Sequence, residues 1–487
     1  MRLLPKGVDH RDQDLLSVKE ARNLVEKAAQ AQEVLAGFTQ AQVDRIVQAM
    51  AHAGSENARR LAQLAVEETG FGVFADKVAK NKFATENVYE YIKDLRTVGI
   101  INQDHDKGVI EIAEPMGVVA GLIPTTNPTS TVMYKALIAL KARNTIVFSP
   151  HPRAVRCTCE AAKIMEAAAV SAGAPPGVVN CMTLCTKEGT NELMHHAKVD
   201  VILATGGSAM VKAAYSAGKP AYGVGPGNVP AFIERTADLE AAVAKIIKSK
   251  TFDNGTICAS EQAVVTEAII ADQVKEAFLR QGGYLLSATE AEAVAKTVIL
   301  PGGGVNPKVV GQEAKVVAEM AGVTVPEKTR VLLACLNGVG KEYPLSAEKL
   351  CPVLAFYVVE DWRNACERCF ELLNYGGLGH TLVIHSKNEE IIKEFALKKP
   401  VFRILVNTPS SQGAIGLTTG LPPALTLGPG TWGGSITADN VGPLHLINRK
   451  RLAYDLTATP GEQSGLLDHR YTGAEIAQVV RAYLKTG

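Results

Sequence analysis

Short apolar runs alternate with longer amphipathic segments from residue 116 of the chain onward. The apolar runs predict buried strands, at residues 117–123, 145–149, 178–182 and 199–205. The segments between them carry apolar residues at helical spacing and predict helices, at residues 129–141, 153–172 and 187–195. Apolar strands joined through helices form right-handed crossovers, which place the strands in a parallel sheet with helices on both faces. The pattern therefore predicts an α/β fold of the nucleotide-binding type.

The same alternation returns in the second half of the chain. Its apolar runs predict further strands, at residues 262–266, 330–336, 354–359, 381–385 and 403–407. Helices are expected between them, at residues 361–373 and 388–397. Because 487 residues are too many for one ordinary hydrophobic core, we expect two α/β domains, joined near residues 234–253.

The N-terminal segment is predicted to be helical. Ser17 with Glu20, and Thr39 with Gln42, fit the capping box, in which two side chains satisfy free N–H groups at a helix start. Apolar residues at helical spacing follow the second box, and a further helix is expected from near Ser55.

The amino-acid composition favours a globular protein and speaks against nucleic acid and membranes as partners. Hydrophobic residues make up 47% and charged residues 21% of the chain, which is typical of a globular protein. A net charge of +1 gives no field that favours nucleic acid or a membrane surface. Apolar runs of the length of a signal peptide or a membrane span are not found. Nine cysteines, an odd number, speak against a disulfide scaffold, so we expect a cytoplasmic location.

Cys258 is the strongest candidate nucleophile. It follows an Asn-Gly turn and precedes an apolar, β-rich run, and the N–H groups of a turn can stabilise a thiolate. Most free cysteines are small buried core residues, and local context alone favours that alternative. The remaining close pairs lack the partners of a zinc site, so we expect packing and no metal for Cys157 with Cys159, Cys181 with Cys185, and Cys366 with Cys369.

Two polar or glycine-rich segments, at 124–127 and 205–208, follow predicted strands, where the carboxyl ends of an open α/β sheet border a ligand crevice. Asn127 could donate its amide N–H to an oxyanion, although an ordinary Asn-Pro turn is favoured on local grounds. Residues 205–208 open a predicted helix whose free N–H groups suit a pyrophosphate, but G-x-G-x-x-G is absent. Residues 223–228 form a second glycine-rich loop, and either segment is equally compatible with a tight turn.

Together, and in this order, the motifs resemble the aldehyde dehydrogenase superfamily from about Ser17 to Tyr454. The motifs are Pro124-Thr125-Thr126-Asn127, Ser149-Pro150, Thr205-Gly206, residues 223–227, Cys258, and Glu348 through Pro352. Residues 252–262, 149–153, 375–380 and 430–434 are similar to the CoA-acylating branch. That branch includes the dehydrogenase half of bifunctional aldehyde-alcohol dehydrogenases and the acetaldehyde and propionaldehyde enzymes.

The resemblance implies two doubly wound α/β domains. Residues 1–234 would form the NAD-binding domain with an oligomerisation hairpin near 104–116, residues 235–439 the catalytic domain, and residues 440–487 an oligomerisation strand and tail. Cys258 would be the nucleophile, with Asn127 and the Cys258 N–H as the oxyanion hole, and Glu348 would hold the nicotinamide ribose. The other implied cofactor contacts are Ile123, Pro124, Thr125, Thr126, Ser149, Pro150, His151, Thr205, Gly206, Gly207, Gly223, Val224 and Gly225.

Departures from the hydrolytic members indicate the acyl acceptor. Those members carry a lysine where this chain has Ser149 and a glycine where it has Val211, and their water-activating glutamate falls at Gly223. Without that base the acyl-enzyme should persist until a thiol arrives. The resemblance thus implies that a short-chain aldehyde, NAD and CoA are converted reversibly to acyl-CoA and NADH. His151 and Arg153 lie where a 2′-phosphate could be accommodated, so some use of NADP is also expected.

His380 is a candidate general base for the CoA thiol, because imidazole titrates near neutrality. It precedes a predicted strand, which would put it at an amino end and away from the crevice, and a packed, hydrogen-bonded histidine is the favoured alternative. Three alternative functions stay open: a hydrolytic NAD(P)-dependent aldehyde dehydrogenase, a glutamyl-phosphate reductase, and a catalytically silent binding member. Retention of Cys258, Asn127 and Glu348 speaks against the last.

The resemblance also implies a homodimer or homotetramer built through strand extensions, for which residues 109–113 and 441–447 are the candidates. The tail, residues 473–487, carries apolar residues on one helical face. A terminal helix packed on its own domain is favoured there over an address for a bacterial microcompartment.

Overall fold

A computed structural model describes residues 10–456 of the chain. Its α-helices are α1 (His10–Leu35), α2 (Gln40–Glu56), α3 (Ala58–Thr69), α4 (Phe74–Lys82), α5 (Val88–Ile92), α6 (Pro128–Lys141), α7 (Val155–Ser171), α8 (Lys187–His195), α9 (Ser208–Tyr215), α10 (Leu239–Thr251), α11 (Ala271–Arg280), α12 (Ala288–Val298), α13 (Ala314–Met320), α14 (Trp362–Tyr375), α15 (Glu389–Lys398) and α16 (Ser410–Ala414). Its β-strands are β1 (Gly99–Asp104), β2 (Val109–Pro115), β3 (Val118–Ile123), β4 (Thr145–Pro150), β5 (Val179–Cys181), β6 (Val201–Thr205), β7 (Ala221–Val224), β8 (Val229–Ile233), β9 (Glu261–Glu267), β10 (Gly283–Leu285), β11 (Val331–Cys335), β12 (Val353–Val359), β13 (Leu382–His385), β14 (Ile404–Val406) and β15 (Ile447–Ala453). Among these residues, no helix has both the length and the hydropathy that a membrane span requires.

Five strands form the first sheet, in the order β5-β4-β3-β6-β7, and every neighbouring pair is parallel. β3 and β4 are buried over their full length, and α6, which packs beside them, is buried at every residue. These elements confirm the four strands and three helices predicted from the apolar pattern. β7 corrects the assignment of Gly223 and Val224 to a loop, because both residues pair with β6.

Seven strands form the second sheet, in the order β10-β11-β12-β9-β8-β13-β14, again parallel throughout. The five strands predicted in the second half of the chain are confirmed. β8 was not predicted. It contains Pro230, which lies at a register shift against β9, and a proline within an apolar run speaks against a strand. The chain passes from the first sheet to the second between Val224 and Val229, and the domain boundaries drawn from the sequence stay predictions.

The N-terminal helices differ in part from the prediction. The capping box at Thr39 is confirmed, but the one at Ser17 is wrong, because α1 already runs from His10. Ser17 instead donates its hydroxyl to the carbonyl of Leu184 at 2.5 Å, and Glu20 accepts the N–H of the same residue. These side chains fasten α1 to the loop after β5.

A third, antiparallel sheet has the order β1-β2-β15. β1 and β2 form the hairpin predicted near residues 104–116. The strand predicted at 441–447 is wrong in its position, because Pro443–Leu446 form a 3-10 turn and β15 begins at Ile447. β15 is an edge strand whose side chains after Ile447 are exposed. The predicted tail helix at 473–487 lies outside the described residues.

Candidate active site

Apart from Glu348, the residues expected to hold the cofactor lie along one edge of the first sheet. Ile123, Pro150, Thr205 and Val224 end β3, β4, β6 and β7, so the loops after them meet at the carboxyl ends of parallel strands. The strand order changes direction between β3 and β6, because β4 and β5 lie on one side of this point and β7 on the other. Ligand crevices of open α/β sheets form outside such a switch point.

The start of α9 fits a pyrophosphate. Gly207 caps this helix without a side-chain hydrogen bond, and a Cβ placed there would meet no atom within 4 Å. The hydroxyl of Thr205, at the end of β6, is buried and has no partner within residues 10–456. Free N–H groups at a helix N-terminus, beside a hydroxyl without a hydrogen-bond partner, form a suitable binding site for the phosphates of a dinucleotide.

The residues expected on the adenosine side are less accessible. Ser149 is 4% exposed, and its hydroxyl is 2.8 Å from that of Thr190. Pro150 is buried as well, whereas His151 is exposed and its Nδ1 accepts the N–H of Arg153 at 3.2 Å. Of the three, His151 has a side chain open to solvent, and the contacts of all three with a cofactor stay predictions.

Cys258, Glu348 and His380 lie at the amino ends of strands in the second sheet, whereas Asn127 lies after β3 of the first sheet. Cys258 precedes β9, Glu348 precedes β12, and His380 precedes β13. Because β12, β9, β8 and β13 are consecutive in the sheet, the loops before them share one edge. His380 is at an amino end, as expected, but the inference that this end lies away from the nucleophile is wrong for this sheet.

Gly227, just before β8, brings these residues together. Its N–H donates to Oε1 of Glu348 at 3.1 Å. A Cβ at this position would lie 2.3 Å from the carbonyl oxygen of Cys258 and 3.2 Å from Cγ of His380. The close approach requires glycine. The nucleophile loop, Glu348 and His380 therefore pack around one backbone position.

Burial decides the protonation of Cys258. Cys258 lies in a turn and packs against the hydrophobic core. Burial, followed by the nearby Glu348 carboxylate, raises the pKa of its thiol to about 12, while the cations of Arg403 and Lys80 act in the opposite direction. In this state the thiol is protonated at neutral pH, so the expected stabilisation of a thiolate by turn N–H groups is outweighed.

His380 is neutral and has one free nitrogen. It is 1% exposed, and its Nδ1 lies 2.9 Å from Oγ1 of Thr381. Its Nε2 has no hydrogen-bond partner among the described residues. Burial and the Arg403 guanidinium, which donates to the His380 carbonyl at 2.7 Å, lower the pKa of the imidazole to about 3. His380 can therefore accept a proton only while a negative charge lies close by.

Sequence reasoning missed a buried network around Asn127. Nζ of Lys80 lies 2.5 Å from Oδ1 of Asn127, 2.5 Å from Oδ2 of Asp253 and 3.0 Å from Oγ1 of Thr256. The amide nitrogen of Asn127 donates to the carbonyl of Thr256, two residues before the nucleophile, at 3.4 Å. Lysines three positions apart on a helix normally indicate a solvated face, so the pattern of Lys77 and Lys80 in α4 gives no signal of this role.

The position of the missing water-activating base is filled by an aromatic ring. A Cβ at Gly223 would lie 2.7 Å from both Cε2 of Tyr215 and Cγ1 of Val211. The Tyr215 hydroxyl accepts the N–H of Gly223 at 2.9 Å and donates to its carbonyl at 3.3 Å. The backbone of Gly223 does not adopt a positive φ. Neighbouring side chains, and not the backbone angle, therefore exclude a larger residue here.

The other cysteines offer no second centre. Their burial ranges from full, at Cys157, Cys159, Cys351 and Cys369, through partial, at Cys181, Cys185 and Cys366, to exposed, at Cys335. Between residues 10 and 456, no cluster of three or more His, Cys, Asp or Glu side chains could hold a metal ion.

Comparison with known proteins places these features in a family. Residues 12–283 match the aldehyde dehydrogenase family. The chain is 48% identical over 442 residues to the bifunctional aldehyde-alcohol dehydrogenase AdhE of Escherichia coli (strain K12). The matched segment covers 90% of this chain and 50% of AdhE. An acetylating aldehyde dehydrogenase from Geobacillus thermoglucosidasius has 53% identity and a TM-score of 0.90, over 92% of this chain and 99% of that one.

A third relative was solved with ligands. The structure of a propionaldehyde dehydrogenase from Rhodopseudomonas palustris, with bound CoA and an acylated cysteine, has 28% identity and a TM-score of 0.81, over 89% of this chain and 97% of that one. The chain therefore belongs to the aldehyde dehydrogenase family, and the resemblance and the fold class drawn from its motifs are confirmed. The chain spans about half the length of the curated aldehyde-alcohol dehydrogenases that it matches.

Proposed function

We propose that the chain is an NAD-dependent, CoA-acylating aldehyde dehydrogenase that converts a short-chain aldehyde, NAD and CoA reversibly into acyl-CoA and NADH. The observation that carries this proposal is a thiol beside an amide donor, a carboxylate and a neutral imidazole, with no side chain at Gly223. Such a site can form a thioester but lacks the base by which hydrolytic relatives activate water. The same absence disfavours the hydrolytic alternative.

In the first half-reaction, the Cys258 thiol releases its proton to solvent, and the resulting thiolate adds to the carbonyl carbon of the aldehyde. The amide N–H of Asn127 stabilises the oxyanion of the tetrahedral adduct. When bound along the carboxyl edge of the first sheet, NAD supplies a two-electron acceptor for the hydride that leaves this adduct. The Glu348 carboxylate would hold the nicotinamide ribose. Loss of hydride leaves Cys258 carrying the acyl group as a thioester.

In the second half-reaction, the CoA thiol loses its proton and attacks the thioester carbonyl, and the thiolate of Cys258 leaves. His380 receives the proton on Nε2, its free nitrogen. Its pKa of about 3 makes it a weak base, so the transfer relies on the negative charge that develops at the reacting sulfur. Because one thioester replaces another, the equilibrium is close to balanced and the enzyme runs in both directions.

The known relatives support the choice of acceptor and substrate. The Rhodopseudomonas palustris enzyme has bound CoA and an acylated cysteine, and the Geobacillus thermoglucosidasius enzyme is an acetylating dehydrogenase. An aldehyde of two or three carbons is the class these relatives favour.

The test is the dependence of NADH production on CoA. With acetaldehyde and NAD alone, the protein should form at most one NADH per active site, and CoA should then restore continuous turnover. Cys258→Ala should abolish both phases while keeping NAD binding, and the matched control Cys366→Ala should keep both. Steady NADH production without any thiol, at a rate comparable to the CoA reaction, would mean that water is the acceptor.

Assembly and location complete the proposal. We propose a homodimer or homotetramer that extends the third sheet, because β15 is an edge strand of this sheet within residues 10–456. Light scattering of the purified protein tests this, and a strictly monomeric mass would reject it. We also propose a cytoplasmic location, because the reaction draws on NAD, CoA and a free thiol, which a reducing compartment supplies.

A further inference from the structure

We propose that Lys80 is a positioning residue, which fixes the Asn127 amide in the orientation that presents its N–H to the oxyanion at Cys258. This inference rests on the proposed function, in which Asn127 stabilises the oxyanion. Lys80 itself acts through Asn127 and does not touch the reacting atoms.

The first observation is the environment of the Lys80 ammonium. The side chain is 2% exposed, and Nζ donates to three oxygens, Oδ2 of Asp253, Oδ1 of Asn127 and Oγ1 of Thr256. An ammonium has three N–H donors, so all of them are engaged. A buried lysine with one hydrogen bond to each of three acceptors is held in a single position.

The second observation concerns the orientation of the amide. An ammonium has donors only, so the Asn127 atom 2.5 Å away must be the carbonyl oxygen. The NH2 group is therefore turned to the opposite side. It contacts Oγ1 of Thr126 at 3.1 Å and the carbonyl of Thr256 at 3.4 Å. The hydrogen bond to the Thr256 carbonyl is long and therefore weak. Its N–H, which lies beside the nucleophile loop, can be redirected to a negative charge that develops there.

The third observation links the network to the nucleophile loop. Asp253 and Asn254 have positive φ angles of 48° and 53°, which is a strained backbone for residues other than glycine. The Asp253 carboxylate accepts from Val73 N at 2.7 Å and from Lys77 and Lys80 of α4. One helix therefore anchors both the turn that leads to Cys258 and the amide that faces it.

The charges around Lys80 come from the same two elements. Asp253 and the neighbouring Lys77 face it directly, and Asp76 accepts the N–H of Asp253 at 2.7 Å. Lys77 also donates to Asp253 and to the carbonyl of Thr126, but among the described residues no hydrogen bond joins it to the Asn127 side chain. Lys77 is therefore a matched control that shares the ion pair and lacks the amide contact.

The experiment is a double-mutant cycle between Lys80→Met and Asn127→Ala, with acetaldehyde, NAD and CoA. Wild-type turnover is measured first, because its absence rejects the proposed function and not this inference alone. Lys80→Met should lower kcat about 10- to 100-fold with little change in KM, as expected for a misplaced donor. In the Asn127→Ala background the same substitution should cost less than about threefold, because the two residues act as one unit.

Two results would overturn the inference. One is an equal loss of kcat from Lys80→Met in the wild-type and Asn127→Ala backgrounds. The other is a loss from Lys77→Met as large as that from Lys80→Met, which would assign the effect to the ion pair with Asp253.

If Lys80→Met does not fold, a second variant keeps the inference testable. Lys80 lines a cavity of about 400 Å³, and we expect a small amine to enter the space left by Lys80→Ala from this cavity. Added ethylammonium should restore kcat in a saturable manner in this variant, and should have no effect when Asn127→Ala is also present. Folded Lys80→Ala that ethylammonium does not restore, or restores equally without Asn127, contradicts the inference.

Discussion

Replacing Gly223 with alanine should destabilise the first sheet through a steric clash. The added Cβ would lie 2.7 Å from Cε2 of Tyr215 and from Cγ1 of Val211, inside normal contact distance. Overpacking of this kind costs about 1–3 kcal/mol. Displacing the ring also weakens its two hydrogen bonds to Gly223, for about 0.5–1.5 kcal/mol more. The expected total of roughly 1.5–4.5 kcal/mol corresponds to a fall in Tm of roughly 3–18 °C for a domain of about 200 residues.

Thermal unfolding followed by calorimetry measures this fall, with Gly420→Ala as the control, because a Cβ at that exposed glycine meets nothing within 4 Å. Tyr215→Ala should partly relieve the clash, so the double variant should be less destabilised than the sum of the single ones. An unchanged Tm for Gly223→Ala would refute the steric argument. It would then reopen Gly223→Glu as a simple route to a hydrolytic enzyme.

Three further predictions follow from the site. Asn127→Ala should lower kcat by about 10²–10³ with a smaller change in KM, and steady-state kinetics showing a change in KM alone would make Asn127 a substrate-binding residue. Since the pKa of the Cys258 thiol is about 12 without cofactor, its alkylation by iodoacetamide should rise about tenfold per pH unit from 7 to 9, with no plateau. Burial raises the pKa of Glu348 from 4.5 to about 7, so the folded state binds this proton more tightly than the unfolded state. The contribution of Glu348 to the free energy of unfolding is therefore fully present below pH 4.5 and is lost as the pH rises through 7. Glu348→Gln should reduce the fall in the free energy of unfolding between pH 4.5 and pH 7.

The sheets could be predicted because their strands are continuous apolar runs. β3, β4 and β6 are buried almost throughout, and their continuous apolar residues predict this burial. The strands that were missed or misplaced contain, or closely follow, a proline or a glycine. Pro230 interrupts β8, Gly223 makes β7 resemble a loop, and Pro443 shifts the start of β15. At Pro230 and Pro443 the proline backbone competes with the apolar pattern, and at Gly223 the packing of Tyr215 and Val211 excludes an apolar side chain.

The site could be predicted only where a residue carries its chemistry on its own. The motif around Cys258 marks the proposed nucleophile, and the helix start after Thr205 marks the proposed phosphate site. The orientation of the second sheet, which turns the amino end of β13 toward the nucleophile, is a property of the whole topology. The role of Lys80 depends on contacts with residues 47 and 173 positions away, and no local pattern encodes contacts at that distance.

The central claim is that an acyl group rests on Cys258 until CoA removes it. The most direct measurement is peptide mass spectrometry of the protein after reaction with acetaldehyde and NAD in the absence of thiols. We expect one acetyl group, located on the peptide that contains Cys258, and its complete loss to acetyl-CoA when CoA is added. Free acetate with an unmodified Cys258, or an acetyl group on another cysteine, would contradict the account.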